Sequence, residues 1–459
     1  MIPLANDECY NLTGEHGKEW VWLFFTTEVQ VRSMLKTLKK LLKIIGPGFV
    51  TGAADDDPSG VSTYSQTGAV FGFNQLWLAL FSFPFMVVIQ QMCGRIGMVT
   101  GKGLAGSIRT HYSKKILYFA VSLLVITNTI NIGADLGAMA ASAKMLLGLP
   151  QIFWLFLITG TIILLEIFVS YETYSKILKY LALSLFAYVI TAFVVKPDWG
   201  VILKSTVIPQ IQFTGPYLFN VVAILGTTIS PYLFFWQTSQ EVEEEILDGN
   251  ISDMGVEKPT VTKKGVFNMD MDTIVGMLFS QAIMFFIIVT TAATLNAKGI
   301  TEILTAAQAA EALRPIAGNF AYLLFAVGII GIGFLSVPVL AGSSAYAVAE
   351  TAGMREGLSK KSRNAPGFYA IIAASTLVGM AINWLGIDPI KALYYAAALN
   401  GLTAPPLMVL IILIANNKSI MGKFVNKRFS KMVGWIVTIV MSIAGILLIV
   451  DLVKGLFVK

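Results

Sequence analysis

Apolar stretches long enough to cross a lipid bilayer follow one another through most of this chain of 459 residues. A membrane helix needs about 20 consecutive, mostly apolar residues, because its backbone polar groups must be satisfied within the segment. Only 13% of the residues are charged, roughly half the share found in a soluble domain. The pattern predicts an all-α polytopic membrane protein with eleven transmembrane helices, at roughly 44–70, 74–98, 116–147, 152–170, 176–195, 217–245, 272–295, 318–350, 367–385, 389–415 and 431–454.

Lysine and arginine residues are concentrated in alternate connections, namely those that precede the odd-numbered spans. The positive-inside rule therefore places the N-terminus in the cytoplasm and, after eleven spans, the C-terminus outside. We expect a multi-pass protein of the plasma (inner) membrane, with residues 1–43 as an N-terminal extension and interfacial lead-in. Because this distribution explains the net charge of +6, the charge is no argument for binding nucleic acid.

Three consecutive aspartates at 55–57 stand in the middle of the first apolar span. One charged Asp at the bilayer centre costs ~2.5–3.5 kcal/mol, so intramembrane acids are functional by default. Pro58 removes a backbone donor and Gly60 adds flexibility. The helix is therefore predicted to open here, freeing carbonyls near Ala54 to bind a cation beside Asp57. For the first two acids, a helix end in solvent is the alternative.

A second interruption lies in span six, where Pro231 follows the small polar residues Thr227 and Ser230. Paired interruptions at corresponding positions of two halves indicate a transport site at the bilayer midplane. We therefore expect two inverted repeats at 44–195 and 217–415, with span eleven at 431–454 appended. Two unrelated proline kinks are the alternative, since membrane helices tolerate proline.

Specific motifs extend over most of residues 44–430 and are densest in 46–104. They comprise Gly46-Pro47-Gly48-Phe49, Asp57-Pro58, Gln66, Gly68, Gly72, Trp77, Gln90, Arg95, Gly97, Thr100, Gly101, Lys102, Asp135-Leu136, Gly226, Thr228, Pro231 and Asp272-Thr273. This pattern resembles the NRAMP family of divalent-metal transporters. The resemblance implies a LeuT-like fold, a 5+5 inverted repeat with broken helices 1 and 6, that takes ions into the cytoplasm by alternating access.

Six positions depart from the family pattern, the first being Ser59, where the family has Gly. The family's first motif reads Asp-Pro-Gly-Asn, and Gly60 replaces its Asn. Its second motif reads Met-Pro-His, and Ser230 and Tyr232 replace the Met and the His. Gln237 stands where the family has a second histidine, and Ala138 where it has an acidic residue. The departures resemble the NRAMP-related branch that transports magnesium.

The loss of a thioether ligand favours a hard ion, because soft sulfur ligands help a site select transition metals. Mg²⁺ usually binds through one or two carboxylates and keeps several waters. We therefore expect a secondary transporter that imports partly hydrated Mg²⁺ and also Mn²⁺, with the metal as cargo and no cofactor. The candidate metal-site residues are Asp57 as the main carboxylate, the carbonyls of Ala54 and Thr227, Ser230, Asp56 in an outer position, Gly60 as added room, and Asn400.

Proton coupling is expected to be weak or absent, because Tyr232, Gln237 and Ala138 cannot shuttle protons at neutral pH. The alternative is a proton-coupled Mn²⁺/Fe²⁺ transporter of the main NRAMP branch. A sodium-coupled amino-acid transporter on the same fold is disfavoured, since the acids at 55–57 would repel a carboxylate. The sequence has no paired catalytic constellation and no Walker loop, so we expect neither an enzyme nor an ATP-driven pump. A monomer is plausible.

An acidic run at 240–245 closes span six. It could form an exit funnel for cations, but charge runs are usually solvated surface, and a solvated helix end is the favoured interpretation.

Overall fold

A computed structural model describes residues 46–169 and 183–457, which form helices joined by short connections. Pro47–Lys459 is one compact unit, whereas the preceding unit, Met1–Gly46, lies outside the described residues apart from Gly46. The predicted extension at 1–43 therefore lies outside them too. The described residues contain no strand, so the all-α prediction is confirmed.

The helices, numbered in chain order, are α1 (Pro47–Asp55), α2 (Pro58–Phe71), α3 (Trp77–Thr100), α4 (Leu104–His111), α5 (Lys114–Leu147), α6 (Gln151–Phe168), α7 (Phe186–Val194), α8 (Trp199–Val207), α9 (Gly215–Thr228), α10 (Pro231–Leu247), α11 (Lys263–Thr294), α12 (Ala306–Ala310), α13 (Arg314–Ala317), α14 (Ala321–Ala352), α15 (Pro366–Ile382), α16 (Pro389–Ala415), α17 (Lys418–Met421) and α18 (Arg428–Phe457).

Nine segments of the described chain are long and apolar enough to cross a membrane. They are Trp77–Thr100, Lys114–Leu147, Gln151–Phe168, Gly215–Leu247, Lys263–Lys298, Ala306–Ala352, Pro366–Leu385, Pro389–Ala415 and Arg428–Asp451. The first predicted span appears as the shorter helices α1 and α2, and the predicted fifth span, 176–195, is described only from residue 183. The chain is a multi-pass membrane protein.

Both predicted helix breaks are present. Asp57 separates α1 from α2, and Ser230, in an extended conformation, stands directly before α10. Pro58 and Pro231 each occupy the first position of the new helix, where the missing N–H costs nothing and the fixed φ suits the helix. Each proline therefore ends one helix and begins the next. The predicted repeat boundaries at 44–195 and 217–415 stay predictions.

Helix α1 lies directly on α11, and small residues allow the close approach. A methyl group added at Gly52 would lie 2.2 Å from the carbonyl oxygen of Gly276, so the two backbones are in contact. Asp272 on α11 accepts a hydrogen bond from the backbone N–H of Gly48 (2.7 Å), satisfying a donor that the first turn of a helix leaves without a partner. Ser280, two turns further along α11, reaches the other end of α1 by donating to Asp55. Helix α11 thus supports α1 at both ends.

Helix α5 carries a polar face through an otherwise apolar span. Asn128, Asn131 and Asp135 follow one another at spacings that place them on one side of the helix. Asn128 donates to Ser343 and Ser344 of α14, whereas Asn131 reaches the first helix break. The face therefore joins α14 to the centre of the bundle.

Candidate metal site

Asp57 is fully buried at the break between α1 and α2 and accepts hydrogen bonds on both carboxylate oxygens. Its Oδ1 accepts from the hydroxyl of Ser59 (2.6 Å) and the backbone N–H of Gly60 (2.7 Å). Its Oδ2 accepts from the amide of Asn131 on α5 (2.9 Å). The carboxylate caps α2, whose N-terminal dipole favours negative charge. These contacts hold the carboxyl group in a fixed orientation at the first break.

The same backbone defect occurs at both breaks. In a continuous helix the carbonyls of Ala54 and Thr227 would bond to the N–H groups of Pro58 and Pro231, which proline lacks. The hydroxyl of Tyr232 donates to the carbonyl of Ala54 across the two broken spans (2.9 Å). The Ser230 hydroxyl donates to the carbonyl of Thr227 (2.8 Å). Both carbonyls have a second lone pair, so each can still bind a cation.

Gly60 brings the two breaks together. A methyl group added there would lie 3.2 Å from Thr227 Oγ1 and 3.3 Å from the carbonyl oxygen of Asp55. The first turn of α2 therefore lies against the end of α9. Asp57, Ala54, Thr227, Ser230 and Gly60 consequently form one cluster, with Tyr232 between its two halves.

Asp55 and Asp56 are both fully buried, so the alternative of a helix end in solvent is wrong. Ser280 donates to Asp55 Oδ2 at 2.6 Å and contacts Asp56 Oδ1 at 3.3 Å. Both acids thus interact with α11, whereas Asp57 is held by α2 and α5. Asp56 lies next to Asp57 in the chain and contacts α11, and its outer role at the ion stays a prediction.

Sequence reasoning missed Asn131, whose side-chain amide donates from α5 to the Asp57 carboxylate. The signal was an asparagine on the same helical face as Asp135, four residues later, within an apolar span. Asp135 is fully buried, accepts from Ser336 of α14 (3.3 Å) and is an electrostatic neighbour of Asp57. The α5 face therefore belongs to the site.

Asn400 lies on α16, in the part of that helix that packs against α9. A methyl group added at Gly226 would lie 2.2 Å from the carbonyl oxygen of Ala397 and from the amide nitrogen of Gly401. The Asn400 side chain is fully buried, and neither its oxygen nor its nitrogen has a hydrogen-bond partner among the described residues. Buried polar groups are nearly always paired, with protein, water or an ion. The Asn400 amide is therefore available to hydrogen-bond to water or to bind an ion.

Other buried oxygens around the break share this property. One carboxylate oxygen each of Asp55, Asp56 and Asp135, and the amide oxygen of Asn131, have no hydrogen-bond donor within the part of the chain described. No group of three or more His, Cys, Asp or Glu side chains there has the spacing of a metal site. An ion at this place would therefore draw on a few carboxylates together with carbonyls, hydroxyls, amides and water.

A cavity of about 710 Å³ opens beyond the second half of α2. Its lining includes Ser62 and Gln66 of α2, Tyr394 of α16, and the carboxylates of Glu302 and Asp451. Asp57 itself has no exposed surface. The cavity lies at the end of the bundle predicted to face outward and could admit a hydrated cation.

The acidic run at the end of α10 is mostly buried, whereas the sequence favoured a solvated helix end. Glu241, Glu243 and Glu245 are 4%, 5% and 7% exposed, and only Glu244 of these four glutamates is an exposed residue. Most of the run is covered because α3 and α14 pack against α10. It is not a solvated helix end.

An all-helical bundle with two helices interrupted at its centre and a buried acidic side chain at one interruption defines a membrane transporter of the LeuT-like class. The family model described as "Natural resistance-associated macrophage protein-like" matches residues 48–451. The chain therefore belongs to the NRAMP family of divalent-metal transporters.

Related proteins agree with this assignment. The chain is 26% identical over 435 residues to the "Divalent metal cation transporter MntH" of Klebsiella pneumoniae (strain 342), covering 92% of this chain and 98% of the relative. It is 27% identical over 433 residues to the protein of the same name from Caldanaerobacter subterraneus subsp. tengcongensis, covering 91% and 95%. The family consists of ion transporters, so the protein is not an enzyme and its metal is a substrate rather than a cofactor.

Solved structures support the fold. The Eremococcus coleocola manganese transporter, in complex with an aromatic bis-isothiourea substituted compound, superimposes with a TM-score of 0.73 at 17% identity, covering 92% of this chain and 89% of that one. Mhp1, a nucleobase-cation-symport-1 family transporter in a closed conformation, superimposes with a TM-score of 0.57 at 13% identity, covering 89% and 91%. The predicted inverted-repeat fold is confirmed.

Proposed function

We propose that this protein imports partly hydrated Mg²⁺, and also Mn²⁺, by alternating access with little or no proton coupling. The observation that carries the proposal is the donor set at the paired breaks. Asp57, the carbonyls of Ala54 and Thr227, and the hydroxyl of Ser230 offer only oxygen. Hard cations such as Mg²⁺ and Mn²⁺ prefer oxygen ligands, whereas sulfur and imidazole favour softer or later transition metals.

The unpartnered polar atoms support an ion that keeps part of its water. Asn400 and the free oxygens of Asn131 and Asp135 are buried acceptors or donors without a protein partner within the described chain. The hydration shell of Mg²⁺ carries donor hydrogens directed outward, which such acceptors can bind. We propose Asp57 as the direct carboxylate, the two carbonyls as direct or water-bridged ligands, and Asp56 and Asn400 as partners of the water shell.

The residues at the family's proton-relay positions support weak coupling. Tyr232 uses its hydroxyl on the carbonyl of Ala54, and Gln237 donates to Glu241 (2.7 Å). Neither a neutral phenol nor an amide exchanges protons readily at pH 7. An inside-negative potential alone supplies ~2.3 kcal/mol per elementary charge per 100 mV, and a divalent ion carries two charges. Uptake into the cytoplasm therefore needs no proton gradient.

The alternative is a proton-coupled Mn²⁺/Fe²⁺ transporter. Two observations favour it: the relatives are named MntH or manganese transporter, and Asp135 retains an unpartnered carboxylate oxygen near Asp57. The two proposals differ in which ion competes and in whether protons move with it.

Flux measurements in proteoliposomes test the proposal. We expect wild-type protein to carry Mg²⁺ down a membrane potential and Asp57→Ala to abolish uptake. Asp248→Ala, which changes an exposed carboxylate at the end of α10, is the matched control and should transport normally. A dye inside the vesicles should report no metal-dependent acidification. No Mg²⁺ flux in the wild type, or strong acidification, would overturn the proposal.

Ser230→Met tests the ion preference at a single atom. The change places a thioether at the second break, so Cd²⁺ should compete with Mg²⁺ at least about tenfold better than in the wild type. Ser62→Met, on the wall of the outer cavity, is the control and should leave the competition unchanged. Equal competition by Cd²⁺ in the wild type and Ser230→Met would exclude Ser230 from the site.

A further inference from the structure

Three buried glutamates lie near enough to interact electrostatically at the end of the bundle predicted to face the cytoplasm. Glu243 lies near the end of α10, Glu350 near the end of α14, and Glu356 in the connection between α14 and α15. We refer to these three residues as the inner acidic site. They are 5%, 7% and 7% exposed, and they lie on the opposite end of α10 from Ser230, so they are separate from the site at the breaks.

Glu243 is held from two directions but is only half satisfied. Its Oε1 accepts from the hydroxyl of Tyr346 on α14 (2.7 Å) and from the backbone N–H of Leu358 (2.7 Å). Its Oε2 is buried and has no hydrogen-bond partner among the described residues. The carboxylate thus already links α10 to α14 and to the next connection, and it has one oxygen left.

Glu356 is the least compensated of the three. Its Oε2 is also buried without a partner within the described chain. Burial first, and then the charges of Glu350 and Glu243, raise the pKa of Glu356 to about 10. The other charged groups acting on it are Lys360 and Asp253, and these two are bonded to each other at 2.6 Å. Lys360 is therefore already engaged by another acid.

A cavity connects the inner acidic site with the solution. Glu350 and Glu356 line a space of about 450 Å³ with Lys102 and Arg109. Both basic side chains are engaged elsewhere: Lys102 donates to Thr110 (2.9 Å), and Arg109 to the backbone carbonyl of Glu350 (2.7 Å). Their positive charges do not satisfy the two unpartnered carboxylate oxygens.

We propose that the inner acidic site binds a divalent cation from the cytoplasmic solution, with Glu356 and Glu243 as ligands, Glu350 as the adjoining charge, and waters from the cavity completing the shell. Mg²⁺ suits two carboxylates plus water. The three acids are not preassembled at ligand spacing, but Glu356 lies in a connection rather than on a helix and can move toward the ion.

Occupation of the site has a consequence for transport. The ion would join α10, which continues from the second break, to the end of α14. Alternating access requires elements to separate at one end of the bundle and then at the other. A cation bound here therefore resists opening on the cytoplasmic side, so a high internal concentration slows further uptake. The inference requires that the chain carries a divalent ion, but not that this ion is Mg²⁺.

Binding is tested with the full chain in detergent. In the Asp57→Ala background, which removes the transport site, Mg²⁺ should still raise the unfolding temperature, because an ion that binds only the folded protein stabilises it. Adding Glu356→Gln or Glu243→Gln should weaken Mg²⁺ binding at least about tenfold. Glu244→Gln, an exposed neighbour on the same helix, is the matched control and should bind normally.

Two results would overturn the site. One is that Mg²⁺ does not change the unfolding temperature of Asp57→Ala, which would indicate that the glutamates share a proton and bind no ion. The other is equal Mg²⁺ binding by Glu356→Gln and Glu244→Gln. If Asp57→Ala does not fold, calorimetry of the wild type should resolve two sites and Glu356→Gln should remove one. Regulation is tested by Mn²⁺ uptake into vesicles loaded with Mg²⁺. Internal Mg²⁺ should slow the wild type and not Glu356→Gln; equal slowing of both would refute regulation. Using Mn²⁺ as the cargo separates this result from any failure of Mg²⁺ transport.

Discussion

Replacing Gly52 by alanine tests the contact between α1 and α11. The new methyl group would lie 2.2 Å from the carbonyl oxygen of Gly276, whereas ordinary contacts begin near 3.4 Å. Because the obstacle is backbone on both sides, no side chain can turn away. The two helices therefore have to separate by about 1 Å, well beyond the small adjustments that packed interiors absorb.

The energy follows from what that separation disturbs. Overpacking of this kind costs about 1–3 kcal/mol. The hydrogen bond from the Gly48 N–H to Asp272 would lengthen from 2.7 Å beyond bonding distance, and bonds to charged groups contribute about 1.5–3 kcal/mol. We expect a total of roughly 2.5–6 kcal/mol against the state in which α1 rests on α11. Every 1.4 kcal/mol is a factor of about ten, so that state becomes at least about tenfold less populated.

The assay is divalent-ion uptake into proteoliposomes, combined with thermal unfolding of the purified protein. Gly52→Ala should lower both the initial rate of uptake and the unfolding temperature. Gly160→Ala is the matched control, since a methyl group added there meets no atom within 4 Å and alanine favours a helix. Wild-type transport and stability in Gly52→Ala would refute the close contact and the role given to it.

Three further predictions concern single side chains. Asn131→Ala removes the amide that orients Asp57 and should weaken ion binding about 10–100-fold, measured by calorimetry; unchanged affinity would contradict that role. Tyr232→Phe leaves the buried carbonyl of Ala54 without its donor and should lower the free energy of unfolding by about 1–3 kcal/mol, whereas an unaltered denaturation midpoint would speak against it. Because the pKa of Glu356 in the folded protein, about 10, lies above its ordinary value of 4.5, its contribution to stability is complete below pH 4.5 and declines as pH rises toward 10. The unfolding temperature should therefore fall more steeply between pH 6 and 9 in the wild type than in Glu356→Gln, and parallel profiles would count against the buried acid.

The sequence predicts the fold well because apolar length and proline position act locally. Both interruptions, at Asp57-Pro58 and Ser230-Pro231, lie where the residues place them, since a missing N–H at a known position breaks a helix regardless of its neighbours. The short helix at Trp199–Val207 was not predicted, because a nine-residue segment between spans has no length signal of its own.

The site is only partly predictable, because its remaining contacts join distant elements. Asn131 lies 74 positions from Asp57, and nothing in local periodicity says which face of α5 meets the break. The burial of Glu243 likewise depends on Tyr346 and Leu358, more than 100 positions away. A run of acids is usually solvated, and only tertiary packing reverses that expectation here.

The hydrogen bond between Tyr232 and the carbonyl of Ala54 is relevant to the half of the transport cycle in which the carrier returns without its ion. A carrier that accumulates an ion on one side has to return unloaded, and a bare carbonyl in the middle of the bilayer would oppose that return. The phenol supplies a donor from within the protein, reaching from the sixth span to the first. At the proposed site, an arriving cation would share this carbonyl with the hydroxyl group, which would stay bonded after the cation leaves. We therefore expect the unloaded carrier to return without a substitute ion, so that net uptake would not depend on exchange.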